Sequence, residues 1–188
     1  MVLYAGGAVP ETSGGGGGGS STKYGVSLDG LLGDVDENGV LQAPTEYIDF
    51  VGRGIKSVGA NALENKFCSN QRLRTFSMPD LITLTEQASM RYACKESDSL
   101  ISIDLSNLTT ISGSGACNQM LYDCSKLPSV SFPKLQEIAN SDSLNNMFQK
   151  CTALTEIHFR ADMQATVEAL TGYSSKFGAT NATIYFDL

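Results

Sequence analysis

The chain has 188 residues and carries 13 Lys or Arg against 20 Asp or Glu, a net charge of −7. This excess of acidic groups repels phosphate backbones and anionic membrane surfaces, which argues against nucleic acid as a partner. No run of about 18 apolar residues occurs, so insertion into a membrane is not expected. The length suits one domain with an appendage and is sufficient for a sizeable core.

The cysteines are five in number and include no CxxC pair or Cys/His cluster with the spacing of metal ligands. An odd number without such spacing argues against a disulfide scaffold and against a zinc module. We expect all five thiols to pack in the interior as small hydrophobic side chains. They are Cys68, Cys94, Cys117, Cys124 and Cys151.

The N-terminal stretch, MVLYAGGAVPETSGGGGGGSS, contains six consecutive glycines at positions 14–19. It lacks the basic and apolar regions of a secretory signal, so we expect no export by a signal of its own. Glycine loses more backbone entropy on ordering than any other residue, which favours a flexible or assembly-binding segment over residues 1–22. The alternative is close packing of polyglycine strands from several chains, which requires a homo-oligomer.

Residues 23–46 are predicted to form a small β-hairpin or cap, because Asn38-Gly39 is a strong hairpin-turn dipeptide. The same stretch, DVDENG, matches the first half of an EF-hand calcium loop, with oxygen ligands at Asp34, Asp36 and Asn38. The second half fails, since the twelfth position is Thr45. We therefore predict no cofactor, with calcium at these three residues as a weak alternative.

The remainder of the chain repeats itself. Leucines recur at one constant interval, at Leu73, Leu100, Leu127 and Leu154, which defines a 27-residue period. A period between about 20 and 50 is typical of solenoids and arrays. Each leucine is followed by two apolar residues that flank one polar residue, a pattern of short half-buried strands. The predicted parallel strands lie at 76–78, 103–105, 130–132, 157–159 and 184–186.

After most of these strands comes a second apolar pair, such as Leu81 with Leu84, and then apolar residues at helical spacing. Each unit is thus predicted as strand, turn, short helix and return, covering its apolar face by stacking on the next unit. The last full unit lacks the second pair. Its Met163, Val167 and Leu170 are instead spaced as an amphipathic helix, which predicts a C-terminal cap.

The segments LPSVSFPKLQEI and FQKCTALTEIHF carry a resemblance to the BspA-like (Treponema pallidum type) leucine-rich repeat, over residues 47–188. The resemblance implies an α/β fold, a leucine-rich-repeat solenoid with parallel strands of about 27-residue repeats. The family is associated with adhesion to cell surfaces and matrix proteins. A bacteriophage tail component would combine such adhesion with the absence of a signal peptide. We therefore expect the protein to be located in a virion or outside the cell, and in the cytoplasm during synthesis.

The outward residues of the first three predicted strands are mostly hydroxylic, whereas the last two concentrate charge, the only histidine and an aromatic ring. Arg and Tyr dominate binding hot spots, so a ligand-binding patch is predicted at the C-terminal end. We name this set the C-terminal patch. Its members are Glu156, His158, Arg160, Tyr185 and Asp187.

The sequence contains no nucleophile–base set, paired-carboxylate motif or phosphate-binding loop. We therefore predict no enzymatic activity, although a hydrolase with a site assembled from scattered residues stays open. The first hypothesis is a module that binds a cell-surface protein or glycan and attaches to virion or assembly subunits through its N-terminal segment. The second is a structural subunit of a larger particle without a ligand of its own.

Overall fold

The computed structural model describes residues 2–5, 49–52 and 55–188, with the backbone alone given for residues 2–5. It shows an α/β arrangement in which short parallel strands form three sheets and helices are few. The predicted hairpin or cap over residues 23–46, the glycine run and the calcium candidates Asp34, Asp36 and Asn38 lie outside the described residues.

The first set contains six strands, and four of them directly follow the leucines of the repeat. The six strands are β2 (Asp49–Gly52), β3 (Thr75–Ser77), β5 (Ser102–Asp104), β7 (Ser129–Phe132), β9 (Glu156–Phe159) and β10 (Thr183–Phe186). Alternate residues along these strands point to the interior, as in the buried Val130 and Phe132 of β7. The last five agree with the predicted strands to within about one residue, because the period-two pattern fixes which side chains are buried.

The pairing register reproduces the sequence period. Thr75 lies beside Ser102, Ser129 beside Glu156, and Glu156 beside Thr183, so paired residues are separated by one full period of the repeat. At the N-terminal side, β1 (Val2–Ala5) pairs in parallel with β2, with Val2 beside Asp49. The prediction of parallel strands is therefore confirmed.

A second set of strands lies where the sequence pattern predicts only apolar pairs. These strands are β4 (Thr83–Leu84), β6 (Thr110–Ile111) and β8 (Glu137–Ile138), and they form a parallel sheet of their own. Each buries its second residue. A strand of two residues is too short to be recognised by alternation of apolar and polar residues. The apolar pair in the sequence therefore predicts that these side chains are buried, but it does not predict that they lie in a strand.

The short helix predicted within each unit is wrong. Consecutive turns occupy these positions, which we call the turn segments, at 60–69, 87–96, 114–123 and 141–150. Every fourth residue in most of them has a positive φ of 50–65°, a conformation that interrupts an α-helix. The turns bury apolar side chains at the same spacing as a helix would. The sequence pattern therefore does not distinguish these turns from a helix. The positive-φ residues are Asn61, Asn65, Ser69, Ala88, Tyr92, Glu96, Gly115, Gln119, Asp123, Asn146 and Lys150.

Hydrogen bonds between units replace the helical ones. Alternate amides in a turn segment donate to a carbonyl of the next unit, as Leu63 N does to Ser89 O, at 2.9 Å. Met90 and Leu121 repeat this bond to Ala116 and Met147, at 2.9 and 3.1 Å. The amides between them donate three residues back within the same segment. Each turn segment therefore depends on its neighbours for about half of its backbone hydrogen bonds.

One core cluster collects the inward side chains of the sheets and the turn segments. Phenylalanine rings stack from unit to unit within it: the Phe132 and Phe159 centroids are 5.2 Å apart, and Phe50 and Phe76 are 5.1 Å apart. Phe67 meets the Phe76 ring edge-on at 5.2 Å. These contacts give large apolar burial together with favourable ring geometry.

The first set of strands is divided between β5 and β7, which belong to different sheets. In the unit before, Ile101 N donates to Arg74 O at 2.9 Å; in the unit after, Thr155 N donates to Pro128 O at 3.0 Å. The equivalent donor at this junction would be the nitrogen of Pro128, which carries no hydrogen. Proline thus removes one of the bonds that would join the two sheets.

The C-terminal cap is predicted as one amphipathic helix, and the helix observed there is shorter. A 3₁₀ turn at Ala161–Met163 leads into α1 (Gln164–Glu168), and a second 3₁₀ segment follows at Tyr173–Gly178. The three predicted apolar residues are buried at 2%, 0% and 8% exposure for Met163, Val167 and Leu170. The second 3₁₀ segment provides a hydrogen-bond acceptor for the last turn segment, since Phe148 N donates to Phe177 O at 3.0 Å.

Side chains at one position of the repeat form a ladder of buried hydrogen bonds. Ser97 Oγ donates to Phe67 O at 2.8 Å, Cys124 Sγ to Cys94 O at 3.1 Å, and Cys151 Sγ to Leu121 O at 3.0 Å.

All five cysteines are free thiols, as predicted, and all except the half-buried Cys68 are buried. Burial raises the pKa of Cys117 and of Cys151 to about 12.

This burial makes the thiols distinguishable by reactivity. We expect one cysteine, Cys68, to react rapidly with Ellman's reagent in the native protein, and all five to react in denaturant, because only the thiolate attacks the reagent. A Cys68→Ser variant should remove the fast phase. A second fast thiol in the native protein would contradict the assigned core.

Phe148 is fully buried, whereas Ser131 is exposed on the open face of β7. Phe148→Ala should lower the free energy of unfolding by about 3–5 kcal/mol, since it removes a buried aromatic ring and leaves a cavity. Ser131→Ala should change it by less than about 0.5 kcal/mol. Urea denaturation measures both, and equal effects would show that the inward and outward faces are assigned wrongly.

Candidate functional site

The outward side chains of the strands line up in rows across the sheets. The pairing register places Ser129, Glu156 and Thr183 in one row and Ser131, His158 and Tyr185 in the next. Neighbouring members of a row are separated by the distance between strands, about 4.8 Å. The face changes along the chain from small hydroxyl groups to charged and aromatic ones at β9 and β10.

His158 is the centre of the C-terminal patch. Its Nδ1 lies 2.9 Å from Asp187 Oδ1, and its Nε2 lies 3.5 Å from Glu156 Oε2. Its ring stacks on that of Tyr185, with centroids 4.9 Å apart and an angle of 14° between the planes. This stacking follows from the register, because His158 and Tyr185 are directly paired residues of β9 and β10.

The electrostatics of the patch favour the protonated imidazole. The hydrogen bond to Asp187 raises the pKa of His158; burial opposes this rise less strongly, and the contact with Glu156 adds to it. In its charged form the ring donates from both nitrogens to carboxylates. An imidazole held in this way is positioned as a cation between two acids, and its hydrogen-bond partners in the described structure are both carboxylates.

Arg160 is held by a different partner. It directly follows β9, and its Nε and one terminal nitrogen donate to the two oxygens of Asp162, at 2.9 and 2.6 Å. This two-point contact lowers the pKa of the Asp162 carboxyl. The fork geometry fixes the guanidinium group within the patch, so its remaining N–H donors are free of Asp162 and can bind a ligand.

The structure therefore brings four predicted site residues, Glu156, His158, Tyr185 and Asp187, into one connected group, and it places Arg160 next to them at the end of the same strand. Tyr185 is 38% exposed, and the Glu156 and Asp187 side chains are each 52% exposed. Sequence reasoning misses Asp162. Its nearness to Arg160 in the chain is visible in the sequence, but the turn that brings the carboxylate back to the guanidinium is not.

A second polar cluster, also missed, lies along the turn segments. Lys95 Nζ is 5.4 Å from the Tyr92 ring centroid and 5.3 Å from that of Tyr122, and Lys150 Nζ is 5.0 Å from Tyr122. The hydrogen bond to Tyr122 raises the pKa of Lys150. The 27-residue period places Lys95 and Tyr122 at equivalent positions, so aligning the units would have suggested this contact.

Metal ligation and membrane insertion find no specific support in the described part of the chain. No group of three or more His, Cys, Asp or Glu side chains there converges in a way that could hold a metal ion. No helix among the same residues is long and apolar enough to cross a membrane.

Comparison of the chain with protein-family models, with curated proteins and with solved structures gave no match.

The His158 pKa can be measured directly, because the chain has a single histidine and its imidazole gives one set of NMR signals. We expect a pKa above the ordinary value of about 6.5. Asp187→Asn should lower it, whereas Ser131→Ala should leave it unchanged. A native pKa at or below the ordinary value, with no response to Asp187→Asn, would contradict the geometry.

The raised pKa of His158 also makes the stability of the folded protein depend on pH. Since the folded pKa is raised, the added stability is fully present below the unfolded pKa of about 6.5 and is lost as pH rises through the folded value. The native protein should therefore lose a small increment of stability above neutral pH that Asp187→Asn does not show. Denaturant melts at two pH values measure the difference.

Proposed function

We propose that this chain is a non-enzymatic binding module that recognises a cell-surface protein or glycan through the C-terminal patch. One observation carries the proposal: the stacked rings of His158 and Tyr185, flanked by the exposed carboxylates of Glu156 and Asp187 on an open sheet face.

The proposed architecture is a leucine-rich-repeat solenoid similar to the BspA-like family. Its support is that, from β3 onward, strand pairs in the first and second sets share the same offset of one period, as in Thr75 beside Ser102 and Thr83 beside Thr110. A constant offset in two sheets is the expected outcome of stacking equal units. The resemblance in sequence supplies the link to adhesion, and it remains an analogy of fold rather than of site.

The chemistry of the patch suits a ligand rich in hydroxyl or amino groups. The second oxygens of exposed carboxylates accept hydrogen bonds from such groups, and the Tyr185 ring supplies apolar area with few rotatable bonds. Because His158 and Arg160 are already fixed by Asp187 and Asp162, the surface is ordered before a ligand arrives. Preorganisation of this kind lowers the entropic cost of binding.

The absence of enzymatic activity is part of the proposal. A general base must lie within hydrogen-bond reach of the group it deprotonates. Both nitrogens of His158 face carboxylates, at 2.9 and 3.5 Å, rather than the Ser131 hydroxyl beside it in the row. This arrangement stabilises a cation and does not activate a hydroxyl nucleophile.

The same contacts favour a second candidate, a structural subunit without a ligand. Arg160 and Asp162 satisfy one another, as do His158 and Asp187, so the patch needs no partner to compensate its charges. In this alternative, residues 1–22 attach the chain to a particle and residues 47–188 act as a spacer. A location in a virion, proposed for both candidates, rests on the sequence resemblance.

The test is binding of the purified protein to a printed glycan array and to intact bacterial cells. His158→Ala combined with Glu156→Ala should reduce binding at least about tenfold, because it removes the stacked imidazole ring and one acceptor. The matched control is Ser129→Ala combined with Ser131→Ala, in the same rows on the neighbouring strand. The control should bind like the native protein, and thermal melts should show both variants folded.

Two outcomes would replace the first candidate by the second. One is a native protein that binds neither glycans nor cells. The other is a patch variant that binds as well as the serine control, which would move recognition away from β9 and β10.

A further inference from the structure

Strand β10 has a free edge in the described structure. It pairs with β9 on one side, where Thr183 N donates to Thr155 O at 2.8 Å and Asp187 N donates to Phe159 O at 3.2 Å. Every second residue of the strand turns its backbone groups to the opposite side, since the direction alternates along a strand. The N–H and C=O groups of Ile184 and Phe186 therefore point away from the described sheet.

This edge lacks the features that usually prevent pairing. Exposed edge strands are commonly protected by proline, by lysine or by a bulge. The outer strand at the opposite side of the same sheet, β7, lies between Pro128 and Pro133, whereas β10 consists of Thr183, Ile184, Tyr185 and Phe186. Two apolar side chains of β10, Ile184 and Phe186, are only partly buried against the core, unlike their fully buried counterparts Ile157 and Phe159.

We propose that a second copy of this chain pairs with the β10 edge in antiparallel fashion, with Tyr185 of each copy facing Tyr185 of the other. The two copies then share one continuous sheet of six strands, three from each. The symmetry is two-fold, the commonest arrangement in homo-oligomers, in which one surface is complementary to itself.

The register follows from two requirements. Residues directly opposite each other must lie on the same face of the sheet, so Tyr185 can oppose Tyr185 and Ile184 can oppose Phe186. Hydrogen-bonded positions must present free backbone groups, and these belong to Ile184 and Phe186. In the proposed register both pairs of Ile184 and Phe186 exchange hydrogen bonds, and Tyr185 occupies the closer non-hydrogen-bonded position.

The surroundings of the edge are complementary in the same register. Asp187 of the second copy lies opposite Thr183, which lines a shallow cavity of about 310 Å³ together with Tyr173, Ser174, Lys176 and Ile184. The exposed Asp187 carboxylate of one copy and Lys176 of the other therefore bring opposite charges to each side of the symmetry axis.

Pairing at this edge would also join the two C-terminal patches. The row of His158 and Tyr185 continues into Tyr185 and His158 of the second copy, because both point to the outward face. The result is a bivalent surface with four rings in line. The dimer itself does not depend on the proposed function, since its measurement is mass rather than ligand binding.

The experiment uses charge at Tyr185, which faces itself in the proposed register. Sedimentation equilibrium of the native chain should show twice the monomer mass of 20.0 kDa at high concentration. Tyr185→Lys alone and Tyr185→Glu alone should each weaken the dimer about tenfold or more, because like charges oppose across the strands. An equal mixture of the two variants should restore it.

The matched control is Ser131→Lys, which places the same charge on the same face two strands from the edge. It should dimerise like the native chain, and circular dichroism should show all variants folded. A monomer at every concentration would overturn the proposal. So would assemblies larger than a dimer, which indicate head-to-tail pairing with β1, or a mixture of the Tyr185 variants that does not recover. Loss of glycan binding with an intact dimer would affect the proposed function alone.

Discussion

Backbone hydrogen bonds between units are the constraint on which the rest of this structure depends. In the turn segments, alternate amides donate to acceptors in the next unit, as Cys94 N does to Met120 O, 2.9 Å away. The strands are too short to be stable singly, and a four-residue strand such as β9 is held by partners on both sides. Neither a turn segment nor a strand satisfies its polar groups alone, so the units form together. A nearly constant period is the consequence, because units of equal length keep these bonds in register. The unit between β2 and β3 is one residue shorter, and Asp49 still lies beside Thr75.

The buried serine and cysteine ladder adds to the same constraint. Ser97, Cys124 and Cys151 each donate to a carbonyl in the preceding unit. A thiol is a weak donor and a small apolar group at once, so it satisfies a carbonyl while it fills the core. The only buried side-chain oxygen without a partner among the described residues is Ser89 Oγ. The interior thus tolerates polar side chains where a carbonyl of the adjoining unit is within reach.

Much of this fold is predictable from the sequence, for reasons that can be given residue by residue. Alternation fixes the strands, since Ile157 and Phe159 must both face inward while His158 faces outward. The same alternation together with the 27-residue period places His158 beside Tyr185, and the structure has them stacked. The turn segments are not predictable, because the spacing of Cys117, Met120, Leu121 and Cys124 fits a helix equally well. Pattern indicates which side chains are buried, whereas the positive φ of Gln119 and Asp123 accompanies bonds to another unit. The contacts of Arg160 escape prediction for a related reason, as they depend on a turn that the repeat does not contain.

The junction at Pro128 has a consequence for the outward face of the sheets. On one side of the molecule the two sheets of longer strands are not joined, while the turn segments on either side of the junction remain linked, from Ala88 N to Ser114 O through Glu96 N to Tyr122 O. The second sheet also crosses the junction, since β6 pairs with β8 and Thr110 lies beside Glu137. The interruption is therefore confined to the sheets of longer strands. The His158 face lies wholly after the junction, so its rows of outward side chains end at β7 and do not continue onto β5.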